Sequence, residues 1–289
     1  MFRPHPRIEL KSLDQVRLMR RAGLVVADAL AAVRAAAHPG CTTSELDAVA
    51  ARVIAEAGAE PSFLGYQGFP ATICTSVNEE VVHGIPGRRA LATGDVVSVD
   101  CGAVVEGWHG DSAITFLLDE SGAVDVDDAT DGVDPADRGL VQATRTALWA
   151  GIAALAGGRR VGDVGTAVEA SVDLSAELRG VEYGIVEEYT GHGIGTAMHQ
   201  PPDVVNFSAT DRGPRLRPGM CLAIEPMLTR GTAVTHVLED DWTVVTADGS
   251  RAAHWEHTVA ILDEGVAVLT APDLGEAGLE PFGLRPVML

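Results

Sequence analysis

The chain has 289 residues, of which 46% are hydrophobic and 21% charged, a composition typical of folded globular proteins. Its formal net charge is −20, from 21 basic and 41 acidic residues, so it lacks the basic footprint of a DNA-binding protein. No apolar run approaches the roughly 20 residues that cross a bilayer, and the N-terminus lacks the apolar core of a signal peptide. Four widely spaced cysteines without a C-x-x-C pair indicate a reducing compartment. These features predict a soluble cytoplasmic protein with no DNA or membrane partner.

The first part of the chain has the apolar spacing of two helices. One helix is predicted from Leu13 to Val33. A second is predicted to begin at a capping box formed by Thr42 and Glu45 and to end before Gly58. The segments TICTSVNEEVVHGIP and GDVVSVDCGAVVEGWHGDSAITFLL follow, and their β-branched residues and glycines predict strands.

The same order returns in the second part of the chain. Helices are predicted from about Leu140 to Leu155 and from about Val164 to Leu178, then strands beyond Val181 and a loop-like tail over 271–289. We therefore predict an α+β protein of two similar halves in a single domain, residues 1–289, with a site where the two sets of strands meet.

Two segments resemble ligand-binding loops, but their residues exclude a calcium site in one and a phosphate site in the other. The acidic stretch 119–138 is not a calcium loop, because Ala129 and Arg138 would stand where carboxylates are needed, and it is predicted to be a solvated loop. The segment GHGIGTAMHQPP is not a phosphate loop, because the only lysine is Lys11 and Thr196 stands where a dinucleotide fingerprint needs glycine. Its glycines are instead predicted to let the backbone turn tightly and pass close to a metal and a substrate.

Two aspartates lie on neighbouring predicted strands. In VVSVDCGAVVEGWHGDSAITF the chain is predicted to turn near Glu106 and Gly107. A hairpin centred between Val105 and Glu106, the midpoint of the two aspartates, would place Asp100 directly opposite Asp111. The apolar flanks predict that both strands are buried, so the alternative in which one aspartate points to water is disfavoured. Two carboxylates this close in an apolar setting need either a proton or a cation.

Two further acids and one histidine have similar surroundings. Glu225 lies within the strand-like GMCLAIEPML, Glu256 lies within AAHWEHTVAIL, and His192 lies in the glycine-rich segment that precedes Glu225. Each of these carboxylates alone could be a paired structural residue. Four carboxylates with one imidazole suit two ions of Mn²⁺, Fe²⁺ or Co²⁺ better than they suit structural zinc. The set predicts two-metal hydrolysis, in which a shared water becomes hydroxide and both ions polarise the electrophile.

Five segments resemble the signature segments of type I methionine aminopeptidases: GYQGFPATICTSVNEEVVHGIP, DCGAVVEGWHGDS, GHGIGTAMHQPP, AIEPML and WEHTVAI. The resemblance runs from about residue 8 to residue 270. It implies the pita-bread fold, in which two pseudo-symmetric halves form a central antiparallel sheet flanked by helices. It also implies a catalytic domain that removes the initiator methionine from nascent proteins with a small second residue. Type I is implied because only 33 residues separate His192 from Glu225.

The resemblance assigns a role to each candidate metal ligand. Asp100 would chelate the first metal. Asp111 and Glu256 would bridge both metals, and His192 and Glu225 would complete the second.

Two histidines outside the metal set match the free active-site histidines of the family. By resemblance, His199 would stabilise the oxygen of the tetrahedral intermediate, His83 would hydrogen-bond the substrate near the scissile amide, and Glu225 would carry a proton from water to the leaving amine. A pocket of aromatic rings and sulfur suits a thioether, although Phe63 and Met198 could equally be core residues. Phe63, Gln67, Phe69 and Met198 depart from the residues common in the family. The implied methionine pocket consists of Phe63, Tyr66, Phe69, Cys74, Met198 and Trp242.

Two rival functions remain open. An X-Pro aminopeptidase or dipeptidase of the same fold would usually carry a sizeable N-terminal domain, which we expect this chain to lack. A non-catalytic pita-bread binding protein would typically have lost metal ligands. The expected cofactors are two divalent ions (Mn²⁺, Fe²⁺ or Co²⁺, with Zn²⁺ acceptable), the expected partners are nascent N-termini and the ribosome, and the expected state is a cytoplasmic monomer.

Overall fold

Helices and strands follow one another in the predicted order, with two helices before each set of strands. The computed structural model describes residues 7–128 and 132–289. Its helices are α1 (Leu13–Ala36), α2 (Thr43–Glu56), α3 (Pro135–Gly157), α4 (Asp163–Arg179) and α5 (Glu276–Leu279), with 3₁₀ turns at Tyr66–Gly68 and Glu280–Phe282. The strands are β1 (Glu60–Pro61), β2 (Ile73–Val77), β3 (Glu80–Val82), β4 (Val96–Val105), β5 (Trp108–Asp119), β6 (Gly122–Val124), β7 (Gly184–Ile185), β8 (Gly191–Gly193), β9 (Gln200–Val204), β10 (Cys221–Ile224), β11 (Met227–Thr229), β12 (Thr235–Val237), β13 (Val244–Thr246), β14 (Ala252–His254), β15 (His257–Leu262) and β16 (Gly265–Val268).

The first half is a layer of two helices on an antiparallel sheet. A capping box of Ser12 and Gln15 starts α1, and the predicted box of Thr42 and Glu45 starts α2. The sheet runs β1-β4-β5-β6, and β2 also pairs with β4. The apolar faces of α1 and α2 pack on β2, β4 and β5, which fixes the β4–β5 hairpin from behind.

The second half repeats this arrangement. Helices α3 and α4 pack on an antiparallel sheet of order β16-β15-β10-β8-β9, and their contact forms the larger core cluster. The remaining described strands form two three-stranded sheets, β14-β11-β7 and β12-β13-β3. The second of these sheets pairs β3 of the first half with β13 of the second half. The predicted α+β plan of two similar halves is therefore confirmed.

The acidic segment is more ordered than the predicted solvated loop. Strand β5 continues to Asp119, and β6 forms immediately afterwards. Asp125 then pairs with Arg34 at 3.2 Å and with Arg145 at 2.9 Å, which ties the segment to α1 and α3. Ala129, on which the calcium reading was tested, lies outside the described residues.

Two predicted boundaries were also wrong. Helix α3 begins at Pro135 rather than near Leu140, because the Asp134 side chain accepts a hydrogen bond from the Ala136 N–H and proline occupies the first turn. The C-terminal tail is not wholly loop-like, since α5 and a 3₁₀ turn lie within it. Within the described ranges, no helix is long and apolar enough to span a membrane.

Candidate metal centre

The β4–β5 hairpin carries the two aspartates on one face. Its turn is formed by Glu106 and Gly107, both with positive φ (51° and 79°) as in a two-residue type I′ turn. Asp100 therefore pairs with Ala113, and Asp111 pairs with Gly102. The prediction that the aspartates lie directly opposite was wrong by two positions, because the turn is centred one residue later than expected. They are diagonal neighbours on the same face, which keeps their carboxyl groups close.

The edge of β5 that faces away from β4 forms hydrogen bonds with the second half of the chain. The Glu256 N–H donates to the Ala113 carbonyl at 2.9 Å, and the Ala113 N–H donates back at 3.3 Å. The Thr258 hydroxyl donates to the Asp111 carbonyl at 2.8 Å and accepts from the Asp111 N–H at 3.2 Å. These bonds hold Asp111 and Glu256 side by side where the halves meet.

His192 reaches the same place from β8. Its Nδ1 lies 3.0 Å from the carbonyl oxygen of Gly193, so Nδ1–H donates to that oxygen and Nε2 keeps its lone pair. Nε2 lies 3.5 Å from Glu225 Oε1, and Glu225 directly follows β10, the neighbour of β8. A histidine whose second nitrogen is fixed by a backbone carbonyl is oriented as metal-ligating histidines are.

The glycines around His192 permit a close approach of backbones. A Cβ at Gly191 would collide with the carbonyl oxygen of Ala223, and one at Gly193 would collide with that of Pro201. Neither glycine has a positive φ. These glycines are therefore required by close packing on neighbouring backbone rather than by tight turns. The predicted close approach of this segment to a metal and a substrate stays a prediction.

A cavity with an empty volume of ≈ 730 Å³ brings all thirteen candidate site residues together. Its apolar side is a cluster of buried residues that includes Phe63, Cys74 and Met198, with the Trp242 ring edge-to-face against Phe69 at 5.0 Å. The lining consists of Phe63, Tyr66, Gln67, Phe69, Cys74, His83, Asp100, Asp111, His192, Met198, His199, Glu225, Trp242 and Glu256.

The structure adds residues that we did not single out as candidates from the sequence. Gln67 lines the cavity, with φ of 47° in the 3₁₀ turn. His254 is buried, and its Nε2 lies 3.7 Å from Glu225 Oε2. The alternation of side chains along a strand could have indicated His254, since it stands two residues before Glu256. No local pattern indicates the Gln67 conformation.

Comparison with known proteins identifies the family. Residues 17–263 match the model of metallopeptidase family M24. Methionine aminopeptidase 1 of Mycobacterium tuberculosis is 54% identical over 262 residues, covering 90% of this chain and 94% of that protein. The chain belongs to metallopeptidase family M24, among its methionine aminopeptidases.

Solved structures of this family share the fold. The crystal structure of methionine aminopeptidase from Thermotoga maritima superposes with a TM-score of 0.83 at 37% identity, covering 91% of this chain and 99% of that one. Prolidase from Pyrococcus furiosus superposes with a TM-score of 0.68 at 17% identity, covering 91% of this chain and 65% of that one, which is a likeness of fold alone. The expected pita-bread architecture is therefore confirmed.

The donor set fits the divalent metal that membership of a metallopeptidase family implies. Ligand atoms of Asp111, His192 and Glu256 all lie within 4.8 Å of one another. Among the described residues, Asp100 Oδ1, Asp111 Oδ1 and Glu256 Oε1 are buried without a hydrogen-bond partner. A buried carboxylate oxygen without a donor is unfavourable, and a cation satisfies several such oxygens at once.

Electrostatics at the site point the same way. Burial raises the pKa of Asp100 to about 7. Burial, and then the neighbouring carboxylates, raise the pKa values of Asp111, Glu225 and Glu256 well above the usual range. Burial lowers the pKa of His192 to about 3, so its imidazole is neutral at physiological pH. A bound dication would displace the protons from the clustered acids and would bind the neutral imidazole through its lone pair.

Proposed function

We propose that this chain is a metal-dependent aminopeptidase that removes the initiator methionine from newly made proteins with a small second residue. The observation that carries the proposal is a single cavity with a carboxylate and imidazole cluster at one side and a pocket of aromatic rings and sulfur at the other. Such a pocket suits the thioether of methionine, and the cluster suits metal-assisted hydrolysis. The relatives named methionine aminopeptidase support the same substrate.

Two ions of Mn²⁺, Fe²⁺ or Co²⁺ would be held by the five predicted ligands, with Zn²⁺ as an alternative. Bound ions supply an activated water and polarise the scissile carbonyl. Asp111 comes from the first half and Glu256 from the second, and they lie side by side along the seam, the line of hydrogen bonds between β5 and the segment 256–258. Both carboxylates are therefore suited to binding the two ions together. The ligands would be Asp100, Asp111, His192, Glu225 and Glu256.

The remaining steps belong to side chains of the chain itself. Glu225 lines the cavity beside the other acids, and we assign its carboxylate to accept a proton from water and return it to the leaving amine. Burial lowers the pKa of His83 to about 4 and also lowers the pKa of His199. Both imidazoles are therefore neutral at pH 7. We assign His199 to the carbonyl oxygen and His83 to the region of the scissile amide.

The rival functions receive less support. The prolidase likeness is one of fold alone at 17% identity. A binding protein without catalysis would have no need of buried acids that lack hydrogen-bond partners in the described structure. We propose that the natural substrates are nascent chains at the ribosome and that the enzyme acts as a cytoplasmic monomer.

Tripeptide hydrolysis tests the proposal. Protein loaded with Mn²⁺ or Co²⁺ is expected to release methionine from Met-Ala-Ser at least about tenfold faster than from Met-Lys-Ser, because a pocket that fits a small second residue excludes lysine. A chelator should abolish turnover, and added metal should restore it. Cleavage of X-Pro peptides without preference for methionine would contradict the assignment and favour the prolidase reading.

A further inference from the structure

Tyr66 touches the free histidine that faces the substrate carbonyl in the proposed function. Its hydroxyl oxygen lies 2.9 Å from His199 Nδ1, and the two ring centroids are 5.4 Å apart. Tyr66 is held in its 3₁₀ turn by Tyr66 N–H to the Phe63 carbonyl and by Phe69 N–H to the Tyr66 carbonyl, both at 2.9 Å. From the sequence Tyr66 was predicted only as a wall of the methionine pocket.

The direction of this hydrogen bond follows from the chemistry of the two groups. A phenol is the stronger donor and an unprotonated imidazole nitrogen the stronger acceptor. In a neutral imidazole only one of the two ring nitrogens carries a proton. The hydroxyl therefore donates to Nδ1, and the single ring proton lies on Nε2.

The backbone on both sides of His199 is fixed independently of Tyr66. The Glu9 carboxylate accepts from the Thr196 N–H at 3.2 Å and from the Thr196 hydroxyl at 2.9 Å. Lys11 Nζ lies 3.3 Å from the side-chain oxygen of Gln200. The loop is thus held in place, and the His199 ring also packs against the His192 ring with centroids 4.2 Å apart. The position of the ring proton is what these contacts leave open.

We infer that Tyr66 is a positioning residue that holds His199 with a hydrogen-bond donor, Nε2–H, directed into the cavity. A donor is what an oxygen that gains negative charge requires, whereas the other tautomer would present a lone pair to it. This inference rests on the proposed function for the identity of the reaction. It assigns to the Tyr66 hydroxyl a task separate from that of its ring, which lines the pocket.

Tyr66→Phe tests the inference because it removes the hydroxyl and keeps the ring. With the metal-loaded enzyme and Met-Ala-Ser, kcat is expected to fall about tenfold while KM changes less than about twofold, since the lost interaction matters at the transition state. His199→Ala should lower kcat about 100-fold. In the His199→Ala background, Tyr66→Phe should have almost no further effect, because the hydroxyl acts through the ring that is gone.

A matched control is offered by Tyr189, which packs edge-to-face on His83 at 5.4 Å. Tyr189→Phe removes the hydroxyl of a tyrosine whose ring packs on the other free histidine, and it is expected to leave kcat within about twofold. Equal losses in both variants would mean a general effect of removing a phenol and would overturn the inference, as would wild-type kcat in Tyr66→Phe. A rise in KM without a fall in kcat would assign Tyr66 to the pocket wall alone.

Nitrogen NMR gives a readout that does not depend on turnover. In the Zn²⁺-loaded protein, which is diamagnetic, the ¹⁵N shifts of His199 should show an unprotonated Nδ1 and a protonated Nε2, with the assignment made by comparison with His199→Ala. Tyr66→Phe should move both shifts towards a mixture of tautomers. A protonated Nδ1 in the wild type would overturn the inference. If the wild type hydrolysed no methionyl peptide but gave the expected shifts, the proposed function would fail and the hydrogen bond would stand.

Discussion

At the scale of one residue, the buried Asp100 carboxyl makes the stability of the metal-free fold depend on pH. Its side chain lines the cavity, and burial raises the pKa of its carboxyl from 3.8 to about 7. Without metal, the folded chain keeps this proton at pH values at which the unfolded chain has released it. The favourable contribution of the protonated Asp100 carboxyl to the free energy of unfolding is present in full below about pH 4 and is lost as the pH rises through about 7.

Asp100→Asn is expected to remove this pH dependence in the metal-free protein. The rise in pKa corresponds to at most about 4 kcal/mol, an upper value because solvent in the cavity reaches the carboxyl. Chemical denaturation of the chelated protein at pH 4.5 and pH 8 measures it. Between these two pH values the free energy of unfolding of the variant should gain on that of the wild type by up to about 3 kcal/mol.

Asp173, on the exposed face of α4, supplies the control. Asp173→Asn should change the free energy of unfolding by less than about 0.5 kcal/mol at either pH. Parallel pH curves for wild type and Asp100→Asn would show that the Asp100 carboxyl keeps its ordinary pKa in the metal-free fold. In that case the unsatisfied oxygens at the site would not be the source of any gain from metal binding.

At the scale of elements, the features that were predictable from sequence are those with local causes. The start of α2 depends on Thr42 and Glu45, which are three residues apart, so the capping pattern indicated it. The aspartate register depends on which two residues form the turn, and a shift of one residue there moved the partner of Asp100 by two positions. The start of α3 was missed because Asp134 lies in a stretch that composition alone marked as loop.

The candidate site divides in the same way. Acids within apolar strands can be recognised along the sequence, and the family resemblance indicated which of them form one site. The bond from Tyr66 to His199 joins residues 133 apart in sequence, and the approach of His254 to Glu225 depends on two sheets meeting. Such contacts depend on tertiary packing, and no periodic or short-range pattern predicts which two residues they join.

Strand β5 and the segment 256–258 form the element pair on which the proposed ligand geometry depends. Thr258→Val keeps the shape of this buried side chain but removes both hydrogen bonds to the Asp111 backbone. We expect metal affinity to fall about 10-fold to 100-fold, as for other groups that orient ligands, and the free energy of unfolding to fall by about 1–3 kcal/mol. Calorimetric titration with Mn²⁺ and chemical denaturation measure the two effects.

Thr144→Val is the matched control, because Thr144 is equally buried but its hydroxyl donates only to the Leu140 carbonyl within α3. It should leave metal affinity within about twofold, since no ligand contacts it. Unchanged metal affinity in Thr258→Val would mean that the Asp111 and Glu256 side chains hold their places without the bonds across the seam. The geometry of the site would then depend on the two sheets separately.

At the scale of the whole molecule, the proposed ligands come from both halves. Asp100 and Asp111 lie on the hairpin of the first half, whereas His192, Glu225 and Glu256 lie on strands and turns of the second. Burial, and then the neighbouring carboxylates, raise the pKa values of Asp111 and Glu256, so without a cation these acids must either keep protons or repel across the seam. A bound ion replaces this repulsion with attraction to both sides. Metal binding should therefore stabilise the association of the halves as well as the local site.

Asp111→Asn separates metal binding from the rest of the fold, because it keeps the side-chain shape and removes the proposed bridging charge. Free metal at 100 times its dissociation constant should stabilise the wild type by about 2.7 kcal/mol. The variant should lose most of this gain and all turnover of Met-Ala-Ser, yet in chelator it should be at least as stable as the wild type, since one buried acid is gone. Scanning calorimetry with and without Mn²⁺ measures both states. A full metal-dependent gain in Asp111→Asn would show that the Asp111 carboxylate does not hold the ion, and its proposed position between the two halves would then be wrong.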